Sequence, residues 1–339
     1  MLLSFIVPVY NVADYLCDCL NSLLNQDISI NEYEIICIND GSNDQSPEIL
    51  AEYAKKNNNL IVINQENQGV CTARNVGLFA ARGDYIWFID SDDLIQENCL
   101  AELKRIIDTE KPERIVIDNY LFENSPENEI MMENSSWENS VVWRSVFNRK
   151  KLIDNDLYFK YLDLSFGEDA LFMYECSRLI PNSFYSNKKW YYHRKRIGSA
   201  SYSVSNEQKQ KILYSNLREA QIMQKYYELN DDVFPILTAN RLMCFLWGTL
   251  DALARMPRKD TKSYFAMLKE TKLFPYHRPK SCTMNLTYPI QSGGFVNRVY
   301  NYIYTHSHTV LGYYFLRLWY YLVSVKNKKD KNNKLKLNK

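Results

Sequence analysis

Glycine and proline are scarce, ten of each in 339 residues. With 46% hydrophobic and 24% charged residues, that scarcity excludes a disordered or fibrous chain. The eight cysteines and four histidines fall in no CxxC or zinc-type spacing. They read as buried, reduced side chains of a cytosolic protein. Cys17 and Cys19, two apart on an expected helix, face different ways. The opening MLLSFIVPVYNVADYL lacks a basic segment ahead of its apolar run, and Pro8 and Asn11 break that run. It reads as a first strand, not a signal peptide. No G-x-G-x-x-G follows it, which counts against a dinucleotide fold, and no internal repeat is present.

What is there is unevenly placed. The net charge of +1 combines an acidic front with a basic back: residues 1–100 hold 15 Asp/Glu against 4 Lys/Arg, and 201–339 hold 9 against 22. The front suggests a metal-dependent site and the back an anionic surface or partner. The length allows two domains, or one large domain with an extension.

Along the first 120 residues, apolar runs of strand length alternate with helical spacing. LLSFIVPVY, EIICIND, NLIVINQ and YIWFID read as strands. ADYLCDCLNSLLNQ, a segment starting at Ser46–Pro47, and the stretch after NQG read as helices. This alternation predicts a mostly parallel sheet with helices on both faces, and its ligand crevice lies at the carboxyl ends of the strands. Asn11, Asp40, Asn67 and the acids from Asp90 to Asp93 all fall there. Residues 121–140 read as a polar loop or irregular edge, VVWRSVFNRKKLI as a helix or strand–helix segment, and FGEDALFMYECSRLI as a helix led by two acids.

The sequence DSDD closes an apolar strand. If the backbone stays extended, Asp90 and Asp92 point to one side, repelling by about 2–3 kcal/mol at roughly 6 Å and an effective dielectric of about 20. A divalent cation, Mn²⁺ or Mg²⁺, resolves that conflict, because it binds through one or two carboxylates plus substrate phosphates. A solvated turn is the alternative. Asp40 is placed to accept from a nucleobase or to cap its turn. Arg74, near a helix start, faces a base or phosphates; Gly69 allows close backbone approach and Gly77 tight helix packing.

Six motifs, VPVYN, INDGSND, NQGVCTARNVG, GDYIWFIDSDD, GEDALF and YYHRKRIGSAS, follow in order over roughly residues 1–202. The chain thereby resembles glycosyltransferase family 2, inverting sugar transferases of the GT-A fold. The resemblance implies that Pro8, Val9, Tyr10, Asp40 and Arg74 contact the nucleoside, usually uridine, with Asn11, Ser91, Asp93 and Glu168 in the same nucleotide-sugar site. It implies Asp90 near ribose and metal, Asp92 as the metal ligand of a DXD-type motif, and Asp169 as general base. An inverting transfer needs such a carboxylate to take the acceptor's proton; the other reading of Glu168 and Asp169 is an acidic helix start facing the macrodipole. His193, Arg194 and Arg196 sit where relatives place a mobile loop against the diphosphate, with Gly198 as hinge, or they form a basic surface loop. The Q-x-x-R-W motif of processive relatives is missing, which argues for adding one sugar.

The expected organisation is a catalytic domain over 1–205 (a nucleotide half to 120, an acceptor half after it), a helical region over 206–325 and a Lys-rich tail over 326–339. TVLGYYFLRLWYYLVSV, residues 309–325, is short for a span and carries Arg317. Its readings are an in-plane membrane contact, a buried or homodimer-interface helix, and a span; the first places residues 295–339 on the inner membrane face of a cytoplasmic protein. His306 and His308 read as solvated. The implied partners are a nucleotide-sugar donor and a glycan or lipid-linked acceptor, with no nucleic acid. A sugar-phosphate nucleotidyltransferase and a non-catalytic nucleotide-sugar or membrane-binding module are the alternative functions.

Overall fold

A computed structural model describes residues 1–123, 129–130, 141–164 and 167–195, with isolated helical positions between 211 and 223. Met1–Ser203 form one compact unit and Val204–Lys339 another. Arg196, Gly198, His306, His308, the 309–325 stretch and the Lys-rich tail lie outside the described residues, as does most of the expected helical region. Among the described residues, no helix is long and apolar enough to cross a membrane.

The alternation in the sequence becomes strand β1 (Leu3–Val9), helix α1 (Ala13–Leu24), β2 (Tyr33–Asp40), α2 (Ser46–Lys56), β3 (Leu60–Gln65), α3 (Val70–Ala80) and β4 (Tyr85–Phe88). A two-residue β5 (Leu94–Ile95), α4 (Leu100–Glu110), β6 (Arg114–Glu123) and β7 (Glu129–Ile130) follow. After a 3₁₀ turn at Val142–Arg144 come β8 (Ser145–Asn148), α5 (Arg149–Asp154), α6 (Glu168–Leu179) and the long β9 (Ser183–Lys195).

Side chains of a strand alternate between faces, so a strand buried on both sides must be apolar throughout. In β1, Leu3, Phe5, Val7 and Val9 enter one core with Tyr33, Ile35 and Cys37 of β2 and Trp87 of β4. Ile6, Ile36, Ile38, Ile86 and Phe88 enter the opposite core. Leu16, Leu20 and Leu23 of α1 and Leu100, Leu103 and Ile106 of α4 cover the first face; Ala73 and Leu78 of α3 and Phe172 and Met173 of α6 cover the second. Each such Leu, Ile or Phe contributes about 1.5–3 kcal/mol through burial.

The strand order is β3-β2-β1-β4-β8-β6-β9-β5, with β7 paired to β6. The first four strands are parallel, as expected. β8 then enters antiparallel between β4 and β6, and β6 pairs parallel with β9. The chain moves outward from β1 through β2 to β3, then returns to β1's other side as β4. That reversal opens a crevice at the carboxyl ends of β1 and β4. Of the stretch read as a polar loop or irregular edge, the first three residues extend β6, paired there to β7 and β9. One expectation changes, since Cys17 is exposed on the solvent side of α1, while Cys19, Cys37, Cys71, Cys99 and Cys176 are buried, all six free of disulfides.

Gly77 sets how closely α3 meets the sheet. A Cβ there would lie 2.4 Å from Ile6 Cγ2 and 2.8 Å from Ile38 Cδ1. Gly77→Ala is expected to destabilise by about 1–3 kcal/mol, overpacking outweighing the helix-propensity gain. Urea denaturation checks this, and an unchanged midpoint would refute the close approach. Gly69 also answers to its backbone: nothing in the chain lies within 4 Å of an added Cβ, but its φ of +87° is a conformation that side chains rarely adopt and glycine reaches readily.

Candidate active site

The loops at the carboxyl rim are stitched together by their own polar residues. After β1, Pro8 is half-buried, Val9 is in the core and Tyr10 is exposed. Asn11, at φ +50°, accepts from Asn43 N at 2.7 Å and donates its backbone N–H to Ser42 Oγ at 3.2 Å. Asp44 accepts from Ala13 N at 2.9 Å, so the loop after β2 caps α1. Asp40 is buried at the end of β2, where it accepts from Gln65 Nε2 at 2.7 Å, Gln68 N at 2.8 Å and Gly69 N at 2.9 Å. It thus fixes the loop that leads into α3.

The acidic motif does not continue β4. Asp93 N donates to Asp90 O at 3.0 Å, closing a turn over residues 90–93. The expectation that Asp90 and Asp92 lie on one side of an extended strand is therefore corrected: Asp and Ser favour the turn, and β9 holds it. Ser91 is buried in this turn and Asp92 half-buried.

Asp93 is fully buried and faces β9, accepting from Tyr191 Oη at 2.7 Å and Arg194 N at 2.7 Å, with His193 Nδ1 at 3.2 Å. Tyr191 Oη also accepts from Asp90 N at 3.2 Å. Burial opposes charge on His193, yet its hydrogen bond to Asp93 and that residue's charge raise its pKa to about 9. Arg194 donates from Nε to Asp92 O at 2.9 Å and from Nη2 to Asp18 at 3.1 Å, its guanidinium over the Tyr15 ring. These two cations of the basic motif hold the acidic turn and α1.

Arg74 occupies the centre. Its side chain is only 4% exposed, and its Nη2 donates to Asp90 Oδ1 at 3.0 Å. Nη1 donates to Asp169 Oδ1 at 2.6 Å and to Glu168 Oε1 at 3.2 Å. The Phe159 ring lies under the guanidinium at 5.2 Å. One guanidinium thus joins the acidic turn to the two acids at the start of α6, 94 and 95 residues farther along the chain than Arg74 itself. Asp169 Oδ2 accepts from Val142 N at 3.2 Å. Burial raises the Asp169 pKa from 3.8 to about 7; Arg74 opposes that shift, and Glu168 and Asp90 reinforce it. A carboxyl group poised there exchanges protons at neutral pH.

Three contributors escape a motif reading. Trp143 stacks on Tyr191 with centroids 4.3 Å apart and on His193 at 5.3 Å, both nearly parallel to it. Phe159 supports Arg74, and Val142 acts through its backbone. Only the i, i+2 spacing of Tyr191 and His193 in WYYHRK hints at the stack, because a strand puts both on one face.

A family model described as glycosyl transferase family 2 matches residues 4–184. Among curated relatives, the glycosyltransferase GlyA of Streptococcus pneumoniae is 31% identical over 59% of this chain and 31% of its own length. The poly(ribitol-phosphate) beta-N-acetylglucosaminyltransferase TarS of Staphylococcus aureus is 32% identical over 58% of this chain and 36% of its own. The chain therefore spans about a third of these relatives. The structure of S. aureus TarS residues 1–349 in complex with UDP-GlcNAc superimposes with a TM-score of 0.62 at 26% identity, covering 80% of each chain. With the parallel half-sheet, the acidic turn and the first five of the six ordered motifs inside the matched stretch, the chain belongs to glycosyltransferase family 2.

Proposed function

We infer that this protein transfers one sugar, with inversion, from a nucleoside-diphosphate sugar to a hydroxyl of a glycan or lipid-linked acceptor in surface-polysaccharide synthesis. The observation that carries this reading is the shared guanidinium: Arg74 holds Asp169, a half-buried carboxyl poised near pH 7, within one side chain of Asp90 at the switch-point crevice.

Asp169 takes the proton of the acceptor hydroxyl as that oxygen attacks the anomeric carbon. The bond from that carbon to the donor phosphate breaks on the opposite side, and the nucleoside diphosphate leaves. No glycosyl-enzyme intermediate forms. Pro8, Val9, Tyr10, Asn11 and Asp40 line the rim that receives the nucleoside. Asp93, His193 and Arg194 serve that site by holding the turn.

The donor set suits Mn²⁺ or Mg²⁺, since Asp90 and Asp92 offer hard oxygens beside the crevice. Among the described residues, no group of three Asp, Glu, His or Cys forms a ready-made cage; an ion of this class uses one or two carboxylates and completes its shell with substrate phosphates. Asp92, with Asp90, would hold the ion, which would counter the charge on the departing diphosphate.

The likeness to S. aureus TarS, an N-acetylglucosaminyltransferase whose structure holds UDP-GlcNAc, makes UDP-GlcNAc the first donor to test. Purified protein with UDP-GlcNAc, other nucleotide sugars and Mn²⁺ is expected to release nucleoside diphosphate. Pyrophosphate release from a sugar phosphate and a nucleoside triphosphate would instead make it a nucleotidyltransferase. Donor binding without any turnover would make it a binding module. The basic back third supports work at the inner membrane face: vesicles containing anionic lipid are expected to sediment the full chain, and to lose it when 326–339 are removed.

A further inference from the structure

We propose that Arg74 is the positioning residue of the transfer: it orients the base and makes the place of Asp169 depend on the place of Asp90. This deepens the function proposed above and rests on Asp169 being the base.

The argument is geometric. A guanidinium is a rigid plane, so partners on Nη1 and Nη2 cannot move independently. Here Nη2 carries Asp90 at 3.0 Å, and Nη1 carries Asp169 at 2.6 Å. Arg74 Nε is buried without a hydrogen-bond partner, so the plane is placed by its two Nη groups and by the Phe159 ring beneath it. The second oxygen of Asp169 is held by Val142 N. Two donors from different elements thus fix the carboxylate in orientation, and one of them also answers to the donor-binding turn. A simple ion pair needs one carboxylate; three around one cation, each from a motif of the same site, tie the two halves of the reaction together. The 4% exposure of the side chain leaves it little surface to offer a nucleobase, and that separates this role from nucleoside contact.

The test uses the full chain and five variants, three single and two double. Arg74→Lys keeps the charge, but its compact ammonium cannot span both partners. It is expected to lower kcat about 100-fold, the scale of a roughly 1 Å misplacement of a reacting group. Affinity for UDP-GlcNAc with Mn²⁺, measured by calorimetry, is expected to stay within about threefold, since the donor's own contacts remain. In an Asp169→Asn background the same change is expected to cost less than about threefold more, because residues acting as one unit are not additive. Phe159→Leu removes the ring beneath the guanidinium without touching a charge, and is expected to lower kcat several-fold with the same insensitivity in that background. It decides the matter if Arg74→Lys does not fold.

Losses that multiply in the double variant, or donor affinity that falls in step with kcat/KM, would overturn the coupling and make Arg74 a donor ligand. Near-normal turnover by Asp169→Asn alone would remove the base itself, a different failure from multiplied losses in an inactive Asp169→Asn background.

Discussion

Asp169→Asn is expected to lower sugar transfer by about 10²–10⁴-fold, the usual contribution of a positioned base, while donor affinity stays within a few-fold. Asn matches Asp in shape, and its carbonyl oxygen still accepts from Arg74, while its amide nitrogen forfeits the bond from Val142 N, so the variant removes proton acceptance together with that one hydrogen bond. Initial rates at saturating donor, with calorimetric titration of the donor, check both halves. In the unsubstituted protein the base must be ionised, so kcat/KM is expected to fall as pH drops through about 7. Stability runs the other way. The folded Asp169 carboxyl has a pKa raised from 3.8 to about 7, so the fold binds its proton more tightly than the unfolded chain does. Its favourable share is complete below about pH 4 and is lost as pH rises to about 7. The Asn variant is therefore expected to melt higher than the parent at pH 8, with that advantage fading by pH 4. Equal melting at pH 8 would mean that burial does not disfavour the Asp169 charge.

Asp92→Ala is expected to weaken cation-dependent donor binding by at least about 100-fold, the upper range for disturbing even an outer partner of a metal ligand. The substitution is clean because the main chain of the turn has its own support. Arg194 donates to the Asp92 carbonyl, and β9 holds Asp93. Removing the Asp92 side chain leaves those bonds in place. Titration of UDP-GlcNAc with and without Mn²⁺ reads the effect as loss of the metal increment alone. An unchanged increment would take Asp92 out of the coordination shell.

Much of this was legible in the linear chain. Each of β1 to β4 and α1 to α3 falls where apolar runs and helical spacing put it, since local periodicity and burial on two faces agree there. The α6 start at Glu168 was equally plain. The antiparallel entry of β8 was not, because four residues of strand carry no sign of direction, and their partners come from distant parts of the chain. The acidic cluster shows the same limit. DSDD presents three carboxylates of one chemistry, and nothing local says that Asp93 is the buried one. The hydrogen bonds that decide it come from Tyr191, His193 and Arg194, about 100 positions later. Likewise, a basic motif can neutralise phosphate or hold acids of its own chain, and only the tertiary contacts distinguish these uses.

The family match ends at residue 184, inside β9. Trimming the protein to that limit would keep Asp90, Asp92 and Asp169 yet strip away Tyr191, His193 and Arg194. Such a fragment would retain every signature acid and lose the scaffold that shapes the first two. Anyone shortening this enzyme for expression should carry the chain past Lys195, because the working boundary of the domain lies beyond its recognisable one.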